Sequence, residues 1–325
     1  MRAVRIHELI GPEGLRIDEV PTPAPGPGQV VIDVKAAGVN FPDILVTQGK
    51  YQFKPTPPFS PGLEAAGVVS AVGPGVTTLA VGDRVAATLP YGAYAEQTIA
   101  MELGTVKLPN AVPFAIGAAT LLTYATTYHA LVDRAALKAG ETLLVLGAAG
   151  GVGIAAVELG VLLGARVIAA ASSEDKLAFC RAHGASETID YSREDLKERV
   201  KALTGGRGVD VVYDPVGGAL AESALRGIAW EGRYLVVGFA AGDIPKIPLN
   251  LVLLKGCQIV GVFWGQFAMR EPATNRAHCE RIFAWVAEGR LNPAIDTTLP
   301  FSRAAEALAR LAARDVKGKL VLIPD

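Results

Sequence analysis

At 325 residues, half of them hydrophobic and 19% charged, the chain is long enough for two cored domains and is neither fibrous nor disordered. A net charge of -1 with no long basic run argues against a partner recognised by charge, nucleic acid or an anionic membrane. The three cysteines, Cys180, Cys257 and Cys279, are odd in number and far apart, as expected of reduced thiols, and no CxxC pair offers a metal site.

The first residues, Met1 to Ile6, lack the apolar run of a secretory signal, so the expected location is the cytoplasm. The Pro- and Gly-rich stretch 21–28 reads as a stiff surface connection without chemistry. Short apolar runs at 30–34, 66–72, 84–88 and 94–98, broken by Pro and Gly, predict a small irregular β-barrel. From about Ala118 the texture changes to β-branched runs alternating with amphipathic stretches, the pattern of a parallel sheet wrapped by helices. Strands are predicted at 143–146, 167–170, 209–213, 234–237 and 258–263, with helices such as 174–183 between them. A helix at 306–313 and a strand at 319–323 close the chain, and this strand is expected to return to the barrel. The most lipid-like segment, 142–157, is interrupted by four glycines and falls short of the roughly 20 residues of a membrane span.

The strand at 143–146 runs into Gly147-Ala148-Ala149-Gly150-Gly151-Val152-Gly153 and then into an apolar helix. Such a strand, glycine turn and helix bind a dinucleotide pyrophosphate: Gly150 admits close backbone approach, Gly153 lets helix and strand pack, and the helix N-terminus offers free N–H groups. Ala148 stands where the usual GxGxxG pattern has its first glycine. At the end of the second strand, where NAD enzymes carry an acid for the ribose hydroxyls, the chain has Ala171-Ser172-Ser173, with Lys176 one turn on. Two hydroxyls and a cation suit a 2′-phosphate, so NADPH is expected over NADH. Ser173 reads equally well as the N-cap of the helix starting at Glu174, and Lys176 as a solvated cation.

Taken in order, 37–43 (Ala-Gly-Val-Asn-Phe-Pro-Asp), 61–67, 81–85, 92–96, the glycine turn and 211–218 span the whole chain and resemble the medium-chain dehydrogenase/reductase superfamily, in its zinc-free quinone oxidoreductase branch related to zeta-crystallin. The resemblance implies an α/β protein: a discontinuous GroES-like β-barrel catalytic domain, 1–122 with 267–325, and a doubly wound Rossmann domain for NADPH, 123–266. The zinc-bearing branch has a catalytic Cys where this chain has Asn40, a His where it has Leu63, and a second Cys near Thr123. The cysteine lobe of its structural zinc is also missing, so no metal is expected. Without a Lewis acid the expected acceptors are conjugated, quinones and enones, whose charge after reduction spreads into an enolate or quinol that hydrogen-bond donors stabilise. This chemistry suits a cleft between barrel and Rossmann domain.

By the same resemblance Asn40, Tyr51 and Thr127 are the expected catalytic residues, with Asn40 and Thr127 also against the nicotinamide. Asn40 reads alternatively as a turn-capping residue, Thr127 as helix packing. Cofactor contacts are expected from Ala149, Gly150, Gly151 and Val152 at the turn. Ser172, Ser173, Lys176 and Tyr191 are expected around the adenosine, and Val216, Gly238, Phe239, Ala240, Val262, Phe263 and Trp264 near the nicotinamide. Phe263 and Trp264 read otherwise as core aromatics, and Glu64 as an ion-pair partner. Many relatives carry a Tyr where this chain has Leu45, which predicts a more apolar cleft. The implied activity is NADPH-dependent reduction of quinones or other α,β-unsaturated carbonyls. Two rivals are an enoyl-thioester reductase using Lys50 and Lys54, and a catalytically weak, crystallin-like structural or RNA-binding protein, which the neutral charge disfavours. The apolar edge 257–263 predicts a homodimer.

Overall fold

The computed structural model describes all 325 residues. It opens with strands β1 (Arg2–Ile6) and β2 (Leu15–Glu19), the long β3 (Gln29–Val39) and helix α1 (Phe41–Thr47). Strands β4 (Glu64–Val72), β5 (Arg84–Thr88), β6 (Gln97–Met101) and β7 (Thr105–Lys107) lead to α2 (Phe114–Thr120). Strand and helix then alternate: β8 (Thr142–Leu146), α3 (Gly151–Leu162), β9 (Arg166–Ala171), α4 (Glu174–Ala182), β10 (Glu187–Asp190), α5 (Leu196–Leu203). The alternation continues through β11 (Val209–Asp214), α6 (Leu220–Arg226), β12 (Ile228–Val236), α7 (Leu249–Lys255) and β13 (Gln258–Gly261). Helix α8 (Pro272–Ala287), β14 (Ile295–Pro300), α9 (Ala304–Ala312) and β15 (Lys319–Ile323) complete the chain.

Two compact units result, Met1–Leu122 with Phe267–Asp325, and Thr123–Gln266. In the first, a largely antiparallel sheet runs β14-β15-β3-β4-β5-β7, and β6 pairs with β3. The eleven residues of β3 serve β4, β6 and β15, and two bulges in its pairing with β4 turn the sheet so that one strand can do so. Val30, Ile32, Val34, Tyr94, Val85 and Leu322 fill the interior, and α9 closes it with Ala304, Ala307 and Leu308, the i, i+3, i+4 face of an amphipathic helix. The C-terminal strand at 319–323 does return here, beside β3.

The second unit is a parallel sheet ordered β10-β9-β8-β11-β12-β13, which in sequence terms is 3-2-1-4-5-6, the doubly wound arrangement. Its central strand, Thr-Leu-Leu-Val-Leu, is buried throughout, as a strand covered on both faces requires. In such a sheet the strand order reverses between β8 and β11, and ligands bind at the carboxyl ends there.

Some boundaries differ from expectation. The strand anticipated at 94–98 begins only at Gln97, because Tyr94 is drawn out of the ladder to bridge Pro61 and Val4 through its backbone. The last parallel strand stops at Gly261, and Val262 bonds back to Val236 as the chain leaves the sheet. No helix is long and apolar enough to cross a membrane.

Candidate functional site

The carboxyl edge of the parallel sheet gathers most of the residues singled out in the second unit. Gly147 leaves β8 with φ +58°, a conformation open to glycine, and Gly150 caps α3 without any side-chain hydrogen bond. The first-turn N–H groups of α3 therefore face outward with no side-chain acceptor, beside the positive end of a twelve-residue helix. A Cβ added to Gly153 would lie 2.3 Å from the Gly147 carbonyl oxygen, so only glycine lets helix and turn pack this closely. At Gly150 the nearest atom would be 3.4 Å away, which leaves room for a ligand against the backbone. Ala149 is buried beneath this turn, whereas Gly151 and Val152 are partly open.

Across the switch point Val216 approaches Gly147, since a Cβ there would meet the Val216 side chain at 2.8 Å. The buried Asp214 shapes the loop after β11: its Oδ1 accepts the N–H groups of Val216 and Gly217 at 2.7 and 2.8 Å, and Tyr234 donates its hydroxyl to Oδ2. The N–H of Gly238 bonds Asp214 and that of Ala240 bonds Pro215, so Gly238, Phe239 and Ala240 line up against the same loop. Val262 and Trp264 are largely buried, while Phe263 is 56% exposed.

At the far end of the edge the Tyr191 N–H bonds the Ala171 carbonyl at 3.1 Å, which sets Tyr191 beside Ser172 and Ser173. Ser172 is exposed, and Ser173 accepts the Lys176 N–H at 3.4 Å as the cap of α4. The first-turn Glu174 is engaged by Arg181, which offsets its charge near the serines. Thr127 sits apart from this open edge. It lies between two turns of π geometry, fully buried, and its hydroxyl meets the Thr123 carbonyl at 2.8 Å, the Tyr213 hydroxyl at 2.9 Å and the Val152 carbonyl at 3.4 Å.

In the first unit the carboxyl end of β3 carries a second polar cluster. The β3–β4 register sets Gly38 opposite Glu64, and the β3–β15 register sets Val39 opposite Leu320, so Glu64, Asn40 and Lys319 converge in the interior. Gly38 has to be glycine, since a Cβ would come within 2.2 Å of both Glu64 Oε1 and the Ala118 carbonyl. Lys319 donates its three protons to the Val39 carbonyl at 2.9 Å, Asn40 Oδ1 at 2.5 Å and Glu64 Oε1 at 2.7 Å. Asn40 in turn donates to Glu64 Oε1 at 2.9 Å and, less closely, to the Gly38 carbonyl at 3.3 Å. The other Glu64 oxygen accepts the Leu122 N–H at 2.9 Å. The buried ion pair thus fixes which way the Asn40 amide points.

Asp43 lies in the first turn of α1, three residues after Asn40. It is fully buried, and its Oδ2 accepts the Asn40 N–H and the Tyr94 hydroxyl, both at 2.8 Å, while Oδ1 has no partner. Burial pushes its pKa up to about 7, against the pull of these donors and the Lys319 charge. Tyr51 packs against Ile6, Val46, Phe59 and Leu63 without a hydrogen bond from the chain, and burial with the nearby Asp43 charge raises its hydroxyl above the ordinary phenol range. Asp43, Tyr94 and Lys319 were not foreseen as members of the site. Asp43 stood in the matched stretch 37–43, but the part played by Lys319 depends on a strand pairing 279 residues away from Asn40.

No cluster of three or more His, Cys, Asp or Glu side chains is arranged to hold a metal ion. The sequence pattern described as "Alcohol dehydrogenase GroES-like domain" matches residues 26–119, and that described as "Zinc-binding dehydrogenase" matches 151–278. The chain is 39% identical over 324 residues to "Quinone oxidoreductase-like protein 2 homolog" of Nematostella vectensis, covering 99% of this chain and 88% of that one. It is 38% identical over 316 residues to a quinone oxidoreductase of Pseudomonas aeruginosa, covering 97% of each. The crystal structure of Escherichia coli quinone oxidoreductase complexed with NADPH superposes over the full length of both chains, with a TM-score of 0.94 and 30% identity. An α/β protein with a GroES-like unit and a Rossmann unit, the chain belongs to the quinone oxidoreductase family of medium-chain dehydrogenases/reductases and is an oxidoreductase.

Proposed function

We propose that the protein is an NADPH-dependent reductase of quinones and other α,β-unsaturated carbonyl compounds. The observation that carries the cofactor reading is the uncapped N-terminus of α3 behind Gly147 and Gly153, with serines in place of an acid after β9. The residues fit the group: the N–H groups of Ala149 to Val152 would hold the pyrophosphate, and Ser172, Ser173 and Lys176 the 2′-phosphate. Tyr191 would flank the adenosine. Backbone groups of Gly238 to Ala240 and of Val262 to Trp264, with Val216, would hold the nicotinamide amide. Bound NADPH supplies a hydride to a conjugated acceptor.

The chain's own groups then have separate tasks. Tyr51 has a hydroxyl with no internal partner, and it donates the proton to the reduced acceptor. Asn40 has one amide proton held by Glu64 and a second only in the long bond to Gly38, and this second proton is the donor toward the acceptor oxygen. Thr127, with its hydroxyl spent on Thr123 and Tyr213, acts as a positioning residue behind Val152. The acceptor class rests on the family and on the absence of a Cys or His at Asn40, Leu63 and Thr123.

An exposed apolar band runs along the open edge of the parallel sheet, with Ile244, Leu249, Leu253, Leu254 and Trp230 each about 70% exposed or more, next to β13. A second copy pairing on this edge would cover both the strand and the band, which supports a homodimer. The functional reading is tested by NADPH oxidation against a panel of 1,4-benzoquinones, enals, enones and saturated aldehydes. Turnover of the conjugated acceptors is expected, and turnover of saturated aldehydes alone would overturn it.

A further inference from the structure

Asp214, the last residue of β11, is buried and held by hydrogen bonds without an ion pair. Its Oδ1 accepts the N–H groups of Val216 and Gly217, and its Oδ2 accepts the Tyr234 hydroxyl alone. The phenol comes from the neighbouring strand. Tyr234 stands opposite Val212 in the parallel register of β11 and β12, and its ring belongs to the core formed with Val212, Ala221 and Leu251. Burial, with the Asp214 charge beside it, holds this hydroxyl far above the ordinary phenol range, so it remains a donor.

Two loops leave the sheet together at this point. The Asp214 carbonyl accepts the N–H groups of Val237 and Gly238, the Pro215 carbonyl that of Ala240, and the Val216 carbonyl that of Ala241. In return Gly218 donates to the Asp243 carbonyl. A Cβ on Gly217 would lie 2.9 Å from the Phe239 ring, and one on Gly218 3.0 Å from the Ala241 side chain, so the loops are in close contact. The Asp214 side chain sets the course of the first loop and its main chain that of the second. Without the phenol, Oδ2 would be a buried carboxylate oxygen with no donor, and turning that carboxylate toward water would release Val216 and Gly217. Ser172, Ser173 and Tyr191 lie beyond β8, after β9 and β10, and share no hydrogen bond with these loops.

We propose that Tyr234, acting through Asp214, is a positioning residue for the nicotinamide end of the cofactor and has no part in holding the adenosine end. The inference rests on the reading of Val216 and Gly238 to Ala240 as nicotinamide-holding groups. Tyr234 touches no ligand; it keeps both loops in the one arrangement that presents those groups together.

The test is calorimetry on the full chain with two probes, NADPH and 2′,5′-ADP, the second carrying the adenosine and the 2′-phosphate but no nicotinamide. Tyr234→Phe keeps the ring in the core and removes only the bond. Its dissociation constant for NADPH should rise about tenfold, the scale of one hydrogen bond to a buried charge, while that for 2′,5′-ADP stays within about twofold. Tyr124→Phe removes an equally buried phenol–carboxylate bond, to Glu158 at 2.8 Å, elsewhere in the same unit. It should lower the melting temperature and leave both affinities as they were. Asp214→Asn keeps an oxygen for Val216 and Gly217 and can turn its amide to the phenol oxygen, so NADPH should bind within about threefold of wild type. The proposal is overturned if Tyr234→Phe binds NADPH as tightly as wild type, if it weakens both probes alike, or if Tyr124→Phe reproduces its effect. A loss in Asp214→Asn as large as that in Tyr234→Phe would also overturn it, since charge rather than loop position would then be responsible. Failure of the wild type to bind either probe would overturn the cofactor reading instead.

Discussion

Replacing Lys319 with Met would leave Glu64 as an unpaired charge in the interior of the first unit, since no other cation reaches it. Breaking such a pair from one side costs about 3–5 kcal/mol, so urea denaturation of Lys319→Met should show a loss on that scale. The double variant Lys319→Met with Glu64→Gln should recover part of it, because no bare charge remains. Asp43 makes a separate statement about pH. Its pKa is raised in the folded protein to about 7, so the folded state binds the proton more tightly than the unfolded chain. The stability contributed is complete below the ordinary carboxylate pKa and is lost as pH rises through about 7. Denaturation midpoints of wild type should therefore fall between about pH 4 and pH 7 relative to those of Asp43→Asn, by at most about 4 kcal/mol in stability. Parallel profiles for the two proteins would show that Asp43 is ionised throughout.

Among the elements, the turn from β8 into α3 has the tightest requirements. Gly153→Val would drive side-chain atoms into the Gly147 carbonyl and push the helix off the turn, so NADPH affinity by calorimetry should fall at least tenfold with a measurable loss of melting temperature. Gly150→Ala, with more room at its Cβ, should cost less stability while still weakening binding. The same turn shows why part of the molecule was legible in the sequence. An unbroken apolar strand, a glycine cluster and an apolar helix are contiguous, so Leu143 to Leu159 can be read without knowing what packs on them. The first unit was harder. Helix α1 begins with Phe41 and Pro42 after a strand and is only seven residues long, too short for periodicity to reveal it. The cluster of Asn40, Asp43, Glu64, Tyr94 and Lys319 is assembled by strand registers among β3, β4 and β15. Sequence spacing carries no signal for such pairings. Ser173 illustrates an intermediate case: both of its sequence readings concerned real opportunities, and the structure places it as the helix cap beside an exposed Ser172.

On the scale of the whole molecule, the open edge at β13 and the apolar surface of α7 predict association through the Rossmann unit. Sedimentation at micromolar concentration should give a dimer, and Leu253→Lys with Leu254→Lys should shift it toward monomer without loss of secondary structure. A wild-type monomer would count against the pairing. The central claim, however, concerns the cofactor and the class of acceptor proposed for this member of the quinone oxidoreductase family. It is tested most directly by rapid mixing of the NADPH-loaded protein with 1,4-benzoquinone, an enone or a saturated aldehyde, following nicotinamide absorbance through one turnover. The account predicts fast oxidation with the quinone or enone, none with the aldehyde, and a clear preference for NADPH over NADH. Oxidation by the saturated aldehyde at a rate equal to that with the conjugated acceptors would contradict it.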